Sequence, residues 1–244
     1  MSSSDFHRNL EKQIVEFMNS NTQFYSEPDT KSYSEPNTIF CSEADFQFSL
    51  AWYLKEKLNN VNIILEYPYV ADKQLTDNKE REKIYYIDIY VEDSNSDCCS
   101  YIELKYKTKS GKIKRYGKHI DLKNQAAQDI GRYLFLKDVL RLEEICEKEN
   151  SQNMKNYAIL LTNDSSYWTT RSNTKTLDTH FRIHDGKEIN GVLKWEKRNA
   201  DAAHWSDKYS PITLKNSYTC NWKVKSHEAK NWNYLIFSIP SAIK

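Results

Sequence analysis

Two segments of this 244-residue chain restrict its fold more than any others: residues 84–92, IYYIDIYVE, and residues 100–107, SYIELKYK. Both are rich in β-branched and aromatic side chains, which suit a pleated, half-buried surface, so both predict strands. Along 84–92, alternation places Tyr85, Ile87, Ile89 and Val91 on one face and Ile84, Tyr86, Asp88 and Tyr90 on the other. Asp88 is then a carboxylate in an apolar and aromatic strand. Burying such a group alone is costly, so it calls for a partner or a metal. Along 100–107, Ile102, Leu104 and Tyr106 share one face, and Tyr101, Glu103, Lys105 and Lys107 the other. If the polar stretch 93–99 closes the two strands into a hairpin, Asp88, Glu103 and Lys105 project from the same side. Two neighbouring carboxylates repel unless a divalent cation neutralises them. A lysine two residues on can orient a water and offset charge on an attacked phosphorus. In outline this is a metal-dependent hydrolysis site, where the ion lowers the pKa of a bound water.

The elements around this pair form a regular series. Residues 6–20 predict a short amphipathic helix. A small repeat follows, Tyr25-Ser-Glu-Pro-Asp-Thr and Tyr33-Ser-Glu-Pro-Asn-Thr, whose prolines exclude regular helix and predict a spacer. Ser42 is a candidate N-cap with Asp45 in the third position, opening a helix over 43–59. Residues 61–71 predict a strand, 72–83 a charged loop, 121–147 the clearest helix, and 156–162 (NYAILLT) a buried strand. Gly131 lies inside that helix at a cost of about 1 kcal/mol against alanine, which close packing on the sheet would explain. The order from 43 to 162 is α-β-β-β-α-β. Beyond 163, β-like runs near 191–196, 218–225 and 233–239 predict additions to the same domain. Organisation is thus 1–41 as helix and spacer, 42–162 as core, and 163–244 as C-terminal elaboration.

Asp88, fourteen intervening residues and Glu103-Leu104-Lys105 resemble the D…(D/E)xK motif of the PD-(D/E)XK nuclease superfamily. With the element order, the resemblance covers about half of the chain. It implies an α/β restriction-endonuclease-like fold, a mixed central sheet flanked by helices. It further implies that Asp88 and Glu103 bind Mg²⁺, with Mn²⁺ able to substitute, and that Lys105 assists the nucleophilic water. Glu43, at the start of the helix before the first strand, and Gln125, after the ExK strand, match supporting positions of many members. Ile87 stands where the proline that names the motif would be, and Asp129 rather than Gln125 precedes Tyr133 by four. The activity implied is that of a DNA endonuclease of defence or DNA-processing type on double-stranded DNA. A catalytically silent binding module of the same fold is the alternative. A homodimer would suit double-strand cleavage.

Composition narrows the remaining choices. Five glycines form neither GxGxxG nor GxxxxGK[ST], which excludes the usual glycine-rich phosphate loops. Phosphate would have to be handled by side chains or metal. The net charge of +1 says nothing about a polyanionic partner, but residues 103–123 hold eight basic against two acidic side chains. Within it Lys107, Lys109, Lys112, Lys114, Arg115 and Lys118 are candidate contacts to a nucleic-acid backbone, in a loop made flexible by Gly111 and Gly117. Five cysteines without CxxC spacing predict reduced thiols and a cytoplasmic setting. No segment predicts a membrane span. The tryptophans at 168, 195, 205, 222 and 232 are read as packing residues, with one or two available for base stacking.

Overall fold

A computed structural model describes residues 3–20, 39–76, 79–115, 118–150, 153–170, 176–196, 208–225 and 231–241. The Ser-Glu-Pro repeat, Gly117, Trp205 and the side chains of Lys114 and Arg115 lie outside the described set. The chain is an α/β protein, and among the described residues three helices flank a mixed six-stranded sheet. Helices α1 (Ser3–Asn19) and α2 (Glu43–Lys57) precede β1 (Val61–Thr76), β2 (Lys79–Asp93) and β3 (Cys99–Lys107). A small hairpin, β4 (Gly111–Arg115) and β5 (Lys118–Leu122), leads into α3 (Gln128–Glu149) and β6 (Asn156–Thr162). After a 3-10 turn at Thr179–Phe181 come β7 (Glu188–Leu193), β8 (Ile212–Thr219), β9 (Lys223–Val224) and β10 (Asn233–Ile239). The sheet order is β1-β2-β3-β6-β10-β9, with β3 and β6 parallel and the other neighbours antiparallel. None of the described helices is long and apolar enough to cross a membrane.

Local chemistry accounts for the best-defined boundaries. The Ser42 hydroxyl accepts from the Asp45 amide at 3.1 Å, and the Asp45 carboxylate accepts from the Cys41 amide at 2.8 Å. This reciprocal cap starts α2 where the sequence places it, shifted one residue in its return bond. Every residue of β6 is buried, because helices cover both faces of the sheet there. On one face α1 and α2 pack Phe6, Leu10, Ile14, Phe46 and Leu50 against Ile102, Leu104, Tyr157 and Ile159. On the other, α3 packs Phe135, Leu136, Val139 and Leu142 against Ala158, Leu160, Leu235 and Phe237.

Three expectations need correction. The charged stretch 72–83 is not a loop, since β1 and β2 remain paired from Asp72↔Lys83 to Thr76↔Lys79. Main-chain hydrogen bonds hold a hairpin together without apolar side chains. The long helix begins at Gln128 rather than 121, because residues 118–122 pair with β4 and Leu122 is buried on the α2 side. The basic stretch 108–118 is therefore mostly hairpin, and Gly111 sits in a strand opposite Leu122. Gly131 does owe its place to close packing, but against Tyr167 in the turn after β6: a Cβ there would meet the Tyr167 hydroxyl at 2.1 Å.

A fourth correction sets up the site. The alternation along β2 does not persist. Ile89 and Val91 face the α2 side, whereas Tyr85 and Ile87 face the α3 side. Strand β1 changes face at the same level, between Ile63 and Tyr67. Glu66, which lies between them, has φ of 50°, in the left-handed region that costs a non-glycine residue about 1 kcal/mol. The β1–β2 hairpin thus coils over at Glu66 and Asp88, and its pairing with β3 ends at Ile89↔Ile102.

Candidate active site

Where β2 leaves β3, the amides along the exposed edge of β3 need acceptors. Two carboxylates supply them. Asp88 Oδ2 accepts from the Leu104 amide at 2.5 Å, and Glu43 Oε2 accepts from the Tyr106 amide at 2.7 Å. The same gap is held open by Gln47 of α2, whose Nε2 donates at 2.7 Å to both the Asp88 carbonyl and Glu66 Oε1. Glu103 and Lys105 point from β3 toward α3, which brings two further charges. Glu103 is 3% exposed and bonded to the Arg141 guanidinium. Lys105 Nζ lies 2.7 Å from Asp138 Oδ2, and Arg141 reaches Asp138 Oδ1 at 3.3 Å.

The electrostatics of this group are unbalanced. Glu43, Asp88, Glu103 and Asp138 face two cations, Lys105 and Arg141. Burial pushes the Asp88 carboxyl up to about 6; Glu43 and Asp138 add to this, while the Leu104 amide and Lys105 oppose it. Burial likewise raises Glu103 well above the usual carboxylate range, helped by Asp138 and Asp88 and opposed by Arg141 and Lys105. Burial alone would lower Lys105, but Asp138, Glu43 and Asp88 together hold its ammonium above its ordinary value.

The structure therefore brings Asp88, Glu103, Lys105 and Glu43 to one place. Gln125 lies elsewhere: it is exposed in the connection before α3, where its backbone amide donates to the Thr108 carbonyl. Lys107 ends β3 half-buried, and Lys109, Lys112 and Lys118 are exposed beyond it. Asp138, Arg141, Gln47 and Glu66 join the site beyond the residues expected from the sequence. For the first two a signal existed, since both interrupt the apolar run of 134–142 and invite the same question as Asp88. Glu66 and Gln47 carried none.

Beside Arg141 opens a cleft of about 340 Å³ whose wall also carries Lys83, Lys137, Lys208 and the acidic Glu144. Arg141 and Lys83 flank the Tyr85 ring at 4.9 and 5.0 Å. This basic surface lies on the α3 side, apart from the basic strip expected at 107–118.

A divalent cation suits this chemistry by charge. Among the described residues no three His, Cys, Asp or Glu side chains stand ready as a metal-binding group. The carboxylates present are occupied by the Leu104 amide and by Arg141. Their surplus over the cations is nevertheless what a divalent ion would neutralise, and oxygen donors are what Mg²⁺ and Mn²⁺ take. No family model, curated protein or solved structure matches the chain.

Proposed function

We propose that the chain is a metal-dependent phosphodiesterase acting on nucleic acid, with a restriction-endonuclease-like core spanning α2 to β6. The convergence of Asp88, Glu103 and Lys105 in the gap between β2 and β3, with more carboxylates than cations, carries this reading. The β4–β5 hairpin is then an insertion into the α-β-β-β-α-β order. Asp88 and Glu103 would hold Mg²⁺ or Mn²⁺, with Glu43 beside them. The ion, when bound, supplies an acidified water and a Lewis acid for the phosphoryl oxygen. Lys105 stays protonated at neutral pH because Asp138 favours its charge. It therefore acts as a donor, orienting water or a phosphate oxygen, and not as the base that removes a proton. Arg141 offsets Glu103 and also lines the basic cleft, where Lys83, Lys137 and Lys208 complement a polyanion. DNA is the simplest substrate.

One observation favours a second reading, a silent binding module. Glu103 and Lys105 already have ionic partners on α3, as a purely structural network would. Incubation of plasmid and linear DNA with Mg²⁺ or Mn²⁺, repeated with Asp88→Ala and Lys105→Ala, separates the two. Cleavage by the wild type that both substitutions abolish supports the phosphodiesterase. Binding without cleavage supports the module, and neither activity ends both.

A further inference from the structure

The end of the sheet formed by the C-termini of β3 and β6 carries a second, larger cleft of about 790 Å³, a size typical of ligand sites. Asp88, Glu103 and Lys105 do not line it. Its walls include Lys109 and Lys112, Asn163 just after β6, Trp168 in the following turn, and Trp222 between β8 and β9. Trp168 and Trp222 are half-buried and face each other across 5.8 Å at a tilt of 48°, so neither ring is fully covered by the other. Trp222 is fixed at two points: its indole N–H donates to the Ile183 carbonyl at 2.6 Å, and its amide donates to Asp185 Oδ1 at 3.0 Å. That second bond also occupies the acidic side chain on this wall. Asn163 is fixed as well, accepting from the Lys109 amide at 2.6 Å and donating to its carbonyl at 3.2 Å. Deeper in, Trp232 is buried and stacks on Tyr106 at 5.3 Å, the residue whose amide holds Glu43.

Flat aromatic faces and exposed lysines together match two parts of one ligand: a base face and a phosphate. We propose that this cleft binds an unpaired base of a nucleic-acid strand, with its phosphate on Lys109 and Lys112. The strand that it holds runs on to the site of Lys105, so the assignment rests on the phosphodiesterase reading for what happens to that strand. A base inside a duplex is covered on both faces and cannot enter. The preferred substrate is accordingly single-stranded, or a duplex with a frayed or branched end. Lys105 and Lys109 are four residues apart, at most about 13 Å of extended chain. The bound base therefore lies within a few nucleotides of the scissile phosphate.

The test uses the full chain in EDTA, with anisotropy of a labelled twelve-residue oligothymidine and of a blunt twelve-base-pair duplex. The single strand should bind more tightly and quench tryptophan emission. Trp168→Ala and Trp222→Ala should each weaken single-strand binding roughly tenfold and leave duplex binding unchanged, and Trp168→Phe should restore it. Unaltered single-strand binding, or equal loss for both probes, overturns the proposal. If the alanine variants do not fold, the wild type decides: titration without quenching overturns it, and quenching with Trp168→Phe at wild-type affinity supports it. Since metal is absent, these titrations are independent of catalysis. Base binding by a wild type that never cleaves keeps the cleft and ends the phosphodiesterase reading. Cleavage without base binding does the reverse.

Discussion

Helix α3 presents two buried ion clusters, and they are biased in opposite directions. At its N-terminal end Arg132, 2% exposed, pairs with Asp178, which also takes the Thr176 hydroxyl and lies 3.9 Å from Arg182 Nε. Burial alone would raise Asp178, yet Thr176, Arg132 and Arg182 hold its carboxyl below the usual range. Further along, Asp138 and Arg141 join Glu103, Lys105, Asp88 and Glu43, and there burial raises Asp88 and Glu103. The first cluster has an acid satisfied by Arg132, Arg182 and Thr176, as a structural pair should. The second has more acids than cations among the described residues. Burial is common to both, so it is charge balance that marks one of them as a place for a ligand.

The largest effect should come from breaking the balanced cluster. Asp178→Ala leaves Arg132 buried without its acid and should cost about 3–5 kcal/mol. Its urea midpoint should fall accordingly with an unchanged slope. A loss under about 1 kcal/mol would mean that the two clusters do not differ as described.

The opposite sign is expected at Asp88. Asp88→Asn keeps an acceptor for the Leu104 amide and removes the buried charge. The folded chain retains a proton at Asp88 between pH 4 and about 6 that the unfolded chain has already lost. This group therefore makes stability fall as pH rises through that window, by about 3 kcal/mol in total. In EDTA, Asp88→Asn should be more stable than wild type at pH 8 by up to about that amount and equal to it below pH 4. Destabilisation at pH 8 would place Asp88 in a balanced structural network and favour the silent module.

A divalent ion should do reversibly what that substitution does permanently. At pH 8, Mg²⁺ or Mn²⁺ at a hundredfold excess over its Kd should add about 2.7 kcal/mol to wild-type stability. Asp88→Asn should gain far less, and Asp178→Ala should gain as much as wild type. Equal gains in all three would locate the ion outside the β2–β3 gap.

The two clusters also show how far the sequence could be read. The α2 cap was legible because Ser42 and Asp45 act within one helical turn. Strand β6 was legible because seven residues without a charge need cover on both faces. The Asp88, Glu103, Lys105 trio was legible from spacing, although the alternation used to align it does not hold along β2. The face change at Glu66 and Asp88 is a tertiary coil of the hairpin, and nothing in ILEYP marks a left-handed residue. The start of α3 was misplaced because Lys118–Leu122 satisfies its main chain through β4, a non-local choice. Arg132 carried no local sign of a buried partner. Its partner is 46 residues away, in a segment with little pattern of its own.

The smallest prediction isolates the packing at the start of the balanced cluster. Gly131 precedes Arg132, and the Tyr167 ring lies 5.6 Å from the Arg132 guanidinium. Gly131→Ala gains about 1 kcal/mol of helix propensity. It also drives a methyl to 2.1 Å from the hydroxyl of a tyrosine that is 1% exposed. Overpacking of this kind costs about 1–3 kcal/mol, so the net change should be a loss of about 1 kcal/mol. That hydroxyl has no hydrogen-bond partner among the described residues, and Tyr167→Phe should cost little alone. In the Tyr167→Phe background the nearest remaining ring atom is Cζ at 3.3 Å, and Gly131→Ala should become neutral or stabilising. Urea unfolding of the four proteins gives the coupling as a double-mutant cycle. Were alanine to cost the same in both backgrounds, the glycine would serve the helix and not its contact with Tyr167.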